Sequence, residues 1–261
     1  MEDKNIIYED DGNGFSHKTN NNVTSSSTWR AIAKTYLYMF VAVLVSALTC
    51  VGLYFIFNAA LGSNPTEEEM LKAGNTYLAL LIISGVGSII MMFITQLVTI
   101  KAKRGGLICL LIYSVLMGIL ISGTMLTIMV ESQDSASFAS TIGWAFVGTA
   151  GMFGVMTLYG YLAKEKGSAL WYGIIGLLFG ILFITLMNIF LRSETLYYFI
   201  GYAYIALVLL YVGYDTWLLK RHAESGTLTD NWAVYYALQL YTDFIYLFIR
   251  LAIIIARSKE S

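Results

Sequence analysis

Polar and apolar positions alternate along this chain in long blocks. The apolar runs are Tyr36–Phe57, Tyr77–Ile100, Leu107–Val130, Phe138–Leu162, Ala169–Leu191, Leu196–Leu219 and Trp232–Ala256, each of 22 to 25 residues. At about 1.5 Å of helical rise per residue, each is long enough to cross a hydrocarbon core of about 30 Å. The pattern predicts an all-α membrane protein with seven transmembrane helices. Short connections make neighbouring helices antiparallel hairpins, with Asn58–Thr76 and Lys220–Asn231 as the two longer polar links. Small residues recur at helical spacing: Ser114, Gly118 and Ser122 in the third run, Gly148, Gly151 and Gly154 in the fourth, and Gly176 and Gly180 in the fifth. Such stripes predict close helix packing.

Composition agrees with this reading. The chain has 261 residues, of which 57% are hydrophobic and 13% charged, and its mean hydropathy is +0.67. That leaves too little polar surface to cover a soluble globule. A net charge of −1 with no basic block excludes a nucleic-acid partner. The lipid bilayer is the expected surrounding. Cys50 and Cys109 fall inside apolar runs and read as buried thiols. Residues Met1–Thr28 form a polar, low-complexity stretch that predicts a disordered tail, without the pattern of a cleavable signal peptide. The domain plan is therefore a tail over 1–28, a helical domain over 29–257 and a short tail over 258–261.

Basic residues give the orientation. Arg30, Lys34, Lys101, Lys103, Arg104, Lys164, Lys166, Lys220 and Arg221 flank one side, whereas Lys72, Arg192, Arg257 and Lys259 flank the other. The positive-inside rule then predicts a cytoplasmic N-terminus and an external C-terminus.

Within the seven runs the only Asp, Glu, Lys, Arg or His residues are Asp215, Asp243 and Arg250. A charge in hydrocarbon costs on the order of several kcal/mol and persists for a function or beside a neutralising partner. Asp215 precedes Lys220 by five residues, about 7.5 Å from the cytoplasmic end, and Asp243 lies about 10 Å in from the same side. The two carboxylates are thus expected to meet in the cytoplasmic third of the bilayer. Two carboxylates in one poorly hydrated site do not both ionise cheaply, so the pair is expected to share a single proton. Protonated, they tie the helices together; ionised, they repel or attract a cation. The plainer alternative leaves Asp215 at the interface and pairs Asp243 with Arg250 or water. Arg250 either neutralises Asp243 or snorkels toward its own helix end. Trp171-Tyr172, Tyr197-Tyr198, Trp232 and Tyr235-Tyr236 crowd the run ends and are expected to be interfacial anchors rather than an aromatic cage.

The run from Thr149 to Tyr161 (Thr-Ala-Gly-Met-Phe-Gly-Val-Met-Thr-Leu-Tyr-Gly-Tyr) resembles the fourth-helix signature of the Bax inhibitor-1, or transmembrane Bax inhibitor motif, family. Tyr113-Ser114 through Gly118, Asn188 to Leu191, Tyr214-Asp215-Thr216 and the stretch from Ala237 to Phe248 extend the similarity in the family's order. The resemblance implies a bacterial-type protein of the plasma membrane with the C-terminal helix central in the bundle. It also implies a pH-sensitive calcium leak in which Asp215 and Asp243 form the sensing pair, with transient Ca²⁺ contact. Calcium is then the permeant ion, with no cofactor and no enzymatic activity. The chain departs from the family in lacking the Arg near the cytoplasmic end of the second helix, where it reads Thr95-Gln96-Leu97-Val98-Thr99-Ile100. Lys101 or Arg250 is the candidate counter-charge. Tyr246 replaces the usual Asn after the second Asp, and Ala163 to Ser168 replaces a polar motif after the fourth helix.

Two other classes fit parts of the pattern. Some bacterial members of the resembled family act by associating with membrane proteases, with the N-terminal tail as a possible contact. Paired intramembrane aspartates also suggest an aspartyl protease, but Asp243 follows Leu240-Tyr241-Thr242 rather than Gly-x-Gly. A last run without Lys disfavours a retinal Schiff base. His17 and His222 have no ligand neighbours at metal-binding spacing.

Overall fold

The computed structural model describes residues 25–61, 66–101, 103–132, 134–163 and 167–259. These form seven helices: α1 (Ser25–Leu61), α2 (Glu67–Lys101), α3 (Lys103–Glu131), α4 (Ser135–Leu162), α5 (Gly167–Leu191), α6 (Glu194–Glu224) and α7 (Asp230–Ser258). All seven are long and apolar enough to cross a membrane.

The helices overrun the apolar runs that define them. α1 begins at Ser25, inside the stretch assigned to the polar tail, and the remainder of that tail lies outside the described residues. The two longer polar links are also largely helical. α2 starts at Glu67 on a reciprocal cap, in which the backbone N–H and hydroxyl of Thr66 donate to Glu69 at 2.8 and 2.9 Å. Between the sixth and seventh spans only Ser225–Thr229 is not helical. Lys220 and Glu224 support the last turn of α6 as an i,i+4 pair at 3.6 Å. Gly226, at φ 69°, then turns the chain where a side chain would be strained. Hydrophobicity marks where a helix meets lipid, whereas caps decide where it stops.

α7 is the axis of the bundle. Among the described residues it packs against α1, α2, α3, α4 and α6, and only α5 stays away from it. Val234, Ala237, Leu238, Leu240, Tyr241 and Leu247 have no exposed surface. At 100° per residue these positions cover roughly 200° of the helix circumference. Trp232, Tyr235, Gln239, Asp243 and Tyr246 occupy the remaining face.

Two of the predicted small-residue stripes behave differently. In α3, a Cβ at Gly118 would lie 2.6 Å from the Ser46 carbonyl of α1, Ser114 accepts from the Ser46 hydroxyl at 2.9 Å, and Ser122 bonds the Tyr77 hydroxyl at 2.9 Å. In α5, Gly176 and Gly180 have nothing among the described residues within 4 Å of where a Cβ would stand. Among the described residues α5 packs on α6 alone, and its stripe faces away from the bundle. Cys50 and Cys109 are free thiols.

Candidate functional site: a carboxylate pair in an aromatic cavity

The α6 sequence places Tyr204, Leu207, Val208, Tyr211, Tyr214, Asp215 and Leu218 at intervals of three, four and seven, which is a single helical face. The exposed face of α7 has the same rhythm. With Trp171 of α5, the two faces line a cavity of about 560 Å³ between the helices.

Asp215 and Asp243 both line that cavity, are both half-buried, and lie close enough for the charge of Asp215 to act on Asp243. Asp215 lies nine residues before the end of α6 and Asp243 thirteen after the start of α7. These positions are about 13 and 20 Å along their helices from the turn that joins them. Asp243 Oδ2 is buried without a hydrogen-bond partner among the described residues. A buried acceptor left unbonded costs on the order of 1–3 kcal/mol, more when charged.

Neighbouring helices hold the α6 backbone on either side of Asp215. A Cβ at Gly160 of α4 would fall 2.2 Å from the Gly213 carbonyl oxygen of α6, so the two backbones touch one half-turn from Asp215. The hydroxyls of Tyr36 and Thr216 bond at 3.2 Å, joining α1 to α6. Lys220 donates to the Tyr161 carbonyl at 2.8 Å, covering the open end of α4. Across the α6–α7 turn, the Tyr236 hydroxyl and His222 Nδ1 lie 2.7 Å apart.

Arg250, one of the two candidate counter-charges, does not line the cavity. Arg250 turns to α6, where its Nη2 lies 3.0 Å from the Cβ position of Gly201 and its guanidinium carbon stands 5.7 and 5.9 Å from the ring centres of Tyr197 and Tyr204. Its Nε is buried without a hydrogen-bond partner among the described residues. Pairing with Asp243 is therefore not the arrangement found; the missing side chain at Gly201 opens a different berth. Lys101 closes α2, and its side chain lies outside the described residues. Where the resemblance leads one to look for an Arg, α2 buries Thr95 and Thr99, whose hydroxyls donate to the carbonyls of Met91 and Thr95 in their own helix.

One expectation is overturned. Trp171, Trp232, Tyr235 and Tyr236 are not merely interfacial anchors, since all four line the cavity with the carboxylates. Tyr204, Tyr211, Tyr214 and Tyr246 complete an aromatic lining missed in the sequence reading. Their heptad-like spacing with Asp215 and Asp243 was the available signal. Tyr172 does not line the cavity and has 73% of its surface exposed.

Seven apolar helices, one of them enclosed by five others and sharing a carboxylate-bearing cavity with a neighbour, define a multi-pass membrane protein with ionisable groups held inside its bundle. Comparison with known proteins identifies the kind. The family model described as "Inhibitor of apoptosis-promoting Bax1" matches residues 28–260, and the chain belongs to this Bax inhibitor-1 family. It is 31% identical over 227 residues to the inner membrane protein YbhL of Escherichia coli K12, covering 84% of this chain and 88% of that protein. A membrane protein of Streptococcus pyogenes serotype M1 is 28% identical, covering 87% and 92%. YrjE of Lactococcus lactis is 27% identical, covering 95% and 94%.

Proposed function

We propose that this protein passes cations, calcium foremost, slowly across a bacterial plasma membrane, and that protonation of Asp215 and Asp243 controls the passage. The observation that carries the reading is that both intramembrane carboxylates face one cavity while a buried oxygen of Asp243 has no bonded partner. The N-terminus is taken as cytoplasmic, from the excess of basic residues at that side, which puts the pair nearer the inner leaflet.

Calcium takes six to eight oxygen ligands. Two carboxylates supply at most four, so a passing ion keeps water, which suits transient contact rather than storage. Among the described residues no cluster of three or more His, Cys, Asp or Glu exists that could hold a metal permanently. The ionisable neighbours of the pair are tyrosines: Tyr36 from α1, Tyr204, Tyr211 and Tyr214 from α6, and Tyr235, Tyr236 and Tyr246 from α7. No Lys, Arg or His lines the cavity among the described residues. Proton exchange with the carboxylates is therefore the lowest-cost way to change the charge there.

The test is calcium flux into proteoliposomes between roughly pH 5 and 8, comparing the unaltered protein with Asp215→Asn and Asp243→Asn. The expected result is a pH-dependent flux whose pH dependence either replacement removes. A pH response that survives both replacements would overturn the assignment.

A further inference from the structure

The walls of the cavity are unlike those of a site built only for a hard metal ion. Around two carboxylates stand six tyrosines and two tryptophans, with Gln239 the one amide. A calcium ion is recognised by oxygens on every side, whereas aromatic faces attract weakly hydrated cations through the ring quadrupole. The rings also form fixed groups. Trp171 and Tyr214 lie 5.4 Å apart at 31° on the α5–α6 side. On the α7 side Trp232 meets Tyr235 at 5.4 Å and 79°, and Tyr235 meets Tyr236 at 5.6 Å and 83°. A volume of about 560 Å³ lies within the range of small-molecule pockets, about 300–1,000 Å³.

Cation–π contacts made by the protein's own side chains mostly fall outside this cavity. Arg221 stands over Trp217 at 4.9 Å, Lys220 over Tyr161 at 4.8 Å and Arg257 over Tyr197 at 4.9 Å, and none of those rings lines the cavity. Of the lining rings, Tyr204 has Arg250 at 5.9 Å. The cavity thus joins an unpartnered carboxylate oxygen to aromatic walls, with no basic residue lining it among the described residues.

We propose that the cavity between α5, α6 and α7 is a binding site for an organic ammonium ion, an alkylated or quaternary amine, with Asp243 and Asp215 as counter-ions and Trp171, Tyr214, Trp232 and Tyr236 as the cage. The proposal deepens the cation reading of the same carboxylates by naming a second class of ligand, which occupies the site or blocks it. The group arrives either as a dissolved ammonium or as the amine headgroup of a lipid.

The probe is choline, set against its uncharged carbon isostere 3,3-dimethylbutan-1-ol, with binding to the purified full chain read from the change in tryptophan fluorescence, to which Trp171 and Trp232 contribute, and by calorimetry in calcium-free buffer. Choline is expected to bind at least about tenfold tighter than the isostere, with Asp243→Asn removing the difference. Trp171→Leu and Trp232→Leu are each expected to weaken choline by about 2- to 30-fold, the range of a desolvated cation–π contact. Equal binding of the two ligands to the unaltered protein would overturn the proposal whatever the variants do, and so would choline affinity that ignores both tryptophan replacements. Nanodiscs of phosphatidylglycerol with and without phosphatidylethanolamine separate the sources. Loss of choline binding in the discs that contain phosphatidylethanolamine supports a headgroup ligand, and equal binding in both supports a dissolved one. Calcium flux is measured separately. Choline binding without flux removes the leak and leaves this proposal standing; flux without choline binding does the reverse.

Discussion

Gly160 of α4 and Gly213 of α6 meet backbone to backbone: a Cβ on the first would stand 2.2 Å from the carbonyl oxygen of the second. No rotamer change relieves that contact, because the obstacle is main chain. Gly160→Ala must push α4 from α6 and is expected to destabilise the protein by about 1–3 kcal/mol. Because Asp215 is two residues beyond Gly213, the cavity should also deform. Gly151, in the same helix, has nothing within 4 Å of its Cβ position. Gly151→Ala is expected to leave stability unchanged or slightly raised, since alanine is the better helix former by about 1 kcal/mol. Thermal unfolding of both variants in one detergent checks the contrast, and equal loss in the two would refute the close crossing.

Ser46 and Tyr241 give an asymmetric prediction. Their hydroxyls lie 2.5 Å apart, and Ser46 also donates to the Ala42 or Ser114 carbonyl. The Tyr241 side chain is fully buried. Ser46→Ala takes the 2.5 Å partner from the buried Tyr241 hydroxyl and is expected to cost about 1–3 kcal/mol, whereas Tyr241→Phe leaves Ser46 its carbonyls and is expected to cost about 1 kcal/mol. Unfolding of the two single variants and the double variant separates the terms, with the double variant expected to fall near Tyr241→Phe rather than at the sum.

What was legible in the chain and what was not follows from the range of the interactions. Seven spans, and Asp215 and Asp243 as their only acidic residues, could be read because burying a charge in lipid is costly at any position. Both carboxylates line one cavity, at about 13 and 20 Å along their helices from the turn that joins them. Helix ends were misplaced because Thr66, Gly226 and the Lys220–Glu224 pair act in water, where hydropathy is silent. The direction of Arg250 depended on a missing side chain at Gly201, forty-nine positions away in sequence. The aromatic cavity was mistaken for anchoring because Trp171 and Trp232 stand at run ends, and only the separate packing of α5 and of α7 on α6 brings them to one cavity with Asp243.

Arg250 separates two accounts of the pair. Were it the counter-ion of Asp243, Arg250→Met would free the carboxylate and shift any pH response. Its guanidinium instead lies against Gly201, Tyr197 and Tyr204. Arg250→Met is therefore expected to leave the pH dependence of calcium flux where it was, and to hold or raise the melting temperature, since a half-buried charge with an unbonded Nε is replaced by an apolar chain of similar length. A displaced pH profile would restore the ion pair.

Cation occupancy of the cavity should fall with pH in a definite direction. Protons and cations compete for the same carboxylate oxygens, so affinity drops as pH drops, by at most about tenfold per unit for each proton displaced. Titration of the tryptophan fluorescence with calcium at several pH values measures this. Asp243→Asn is expected to flatten the dependence, and an affinity independent of pH in the unaltered protein would remove proton competition from the mechanism.

The remaining choice is between a pathway through the bundle and a regulator that works by touching a membrane protease. Truncation decides it, provided the cut respects the fold. α1 begins at Ser25, and Trp29 lies 5.1 Å from the Tyr161 ring, holding α1 against the end of α4. Removing 1–28 would strip the first turn and weaken that contact, so a loss of function would be ambiguous. Deletion of residues 1–24 leaves the helix intact. Flux through the Asp215–Asp243 cavity is then expected to stay within about twofold of the full chain, because no step of it needs the tail. A truncated protein that folds and melts normally but loses its activity in cells, while its flux in liposomes is unchanged, would move the function from the cavity to the N-terminal segment.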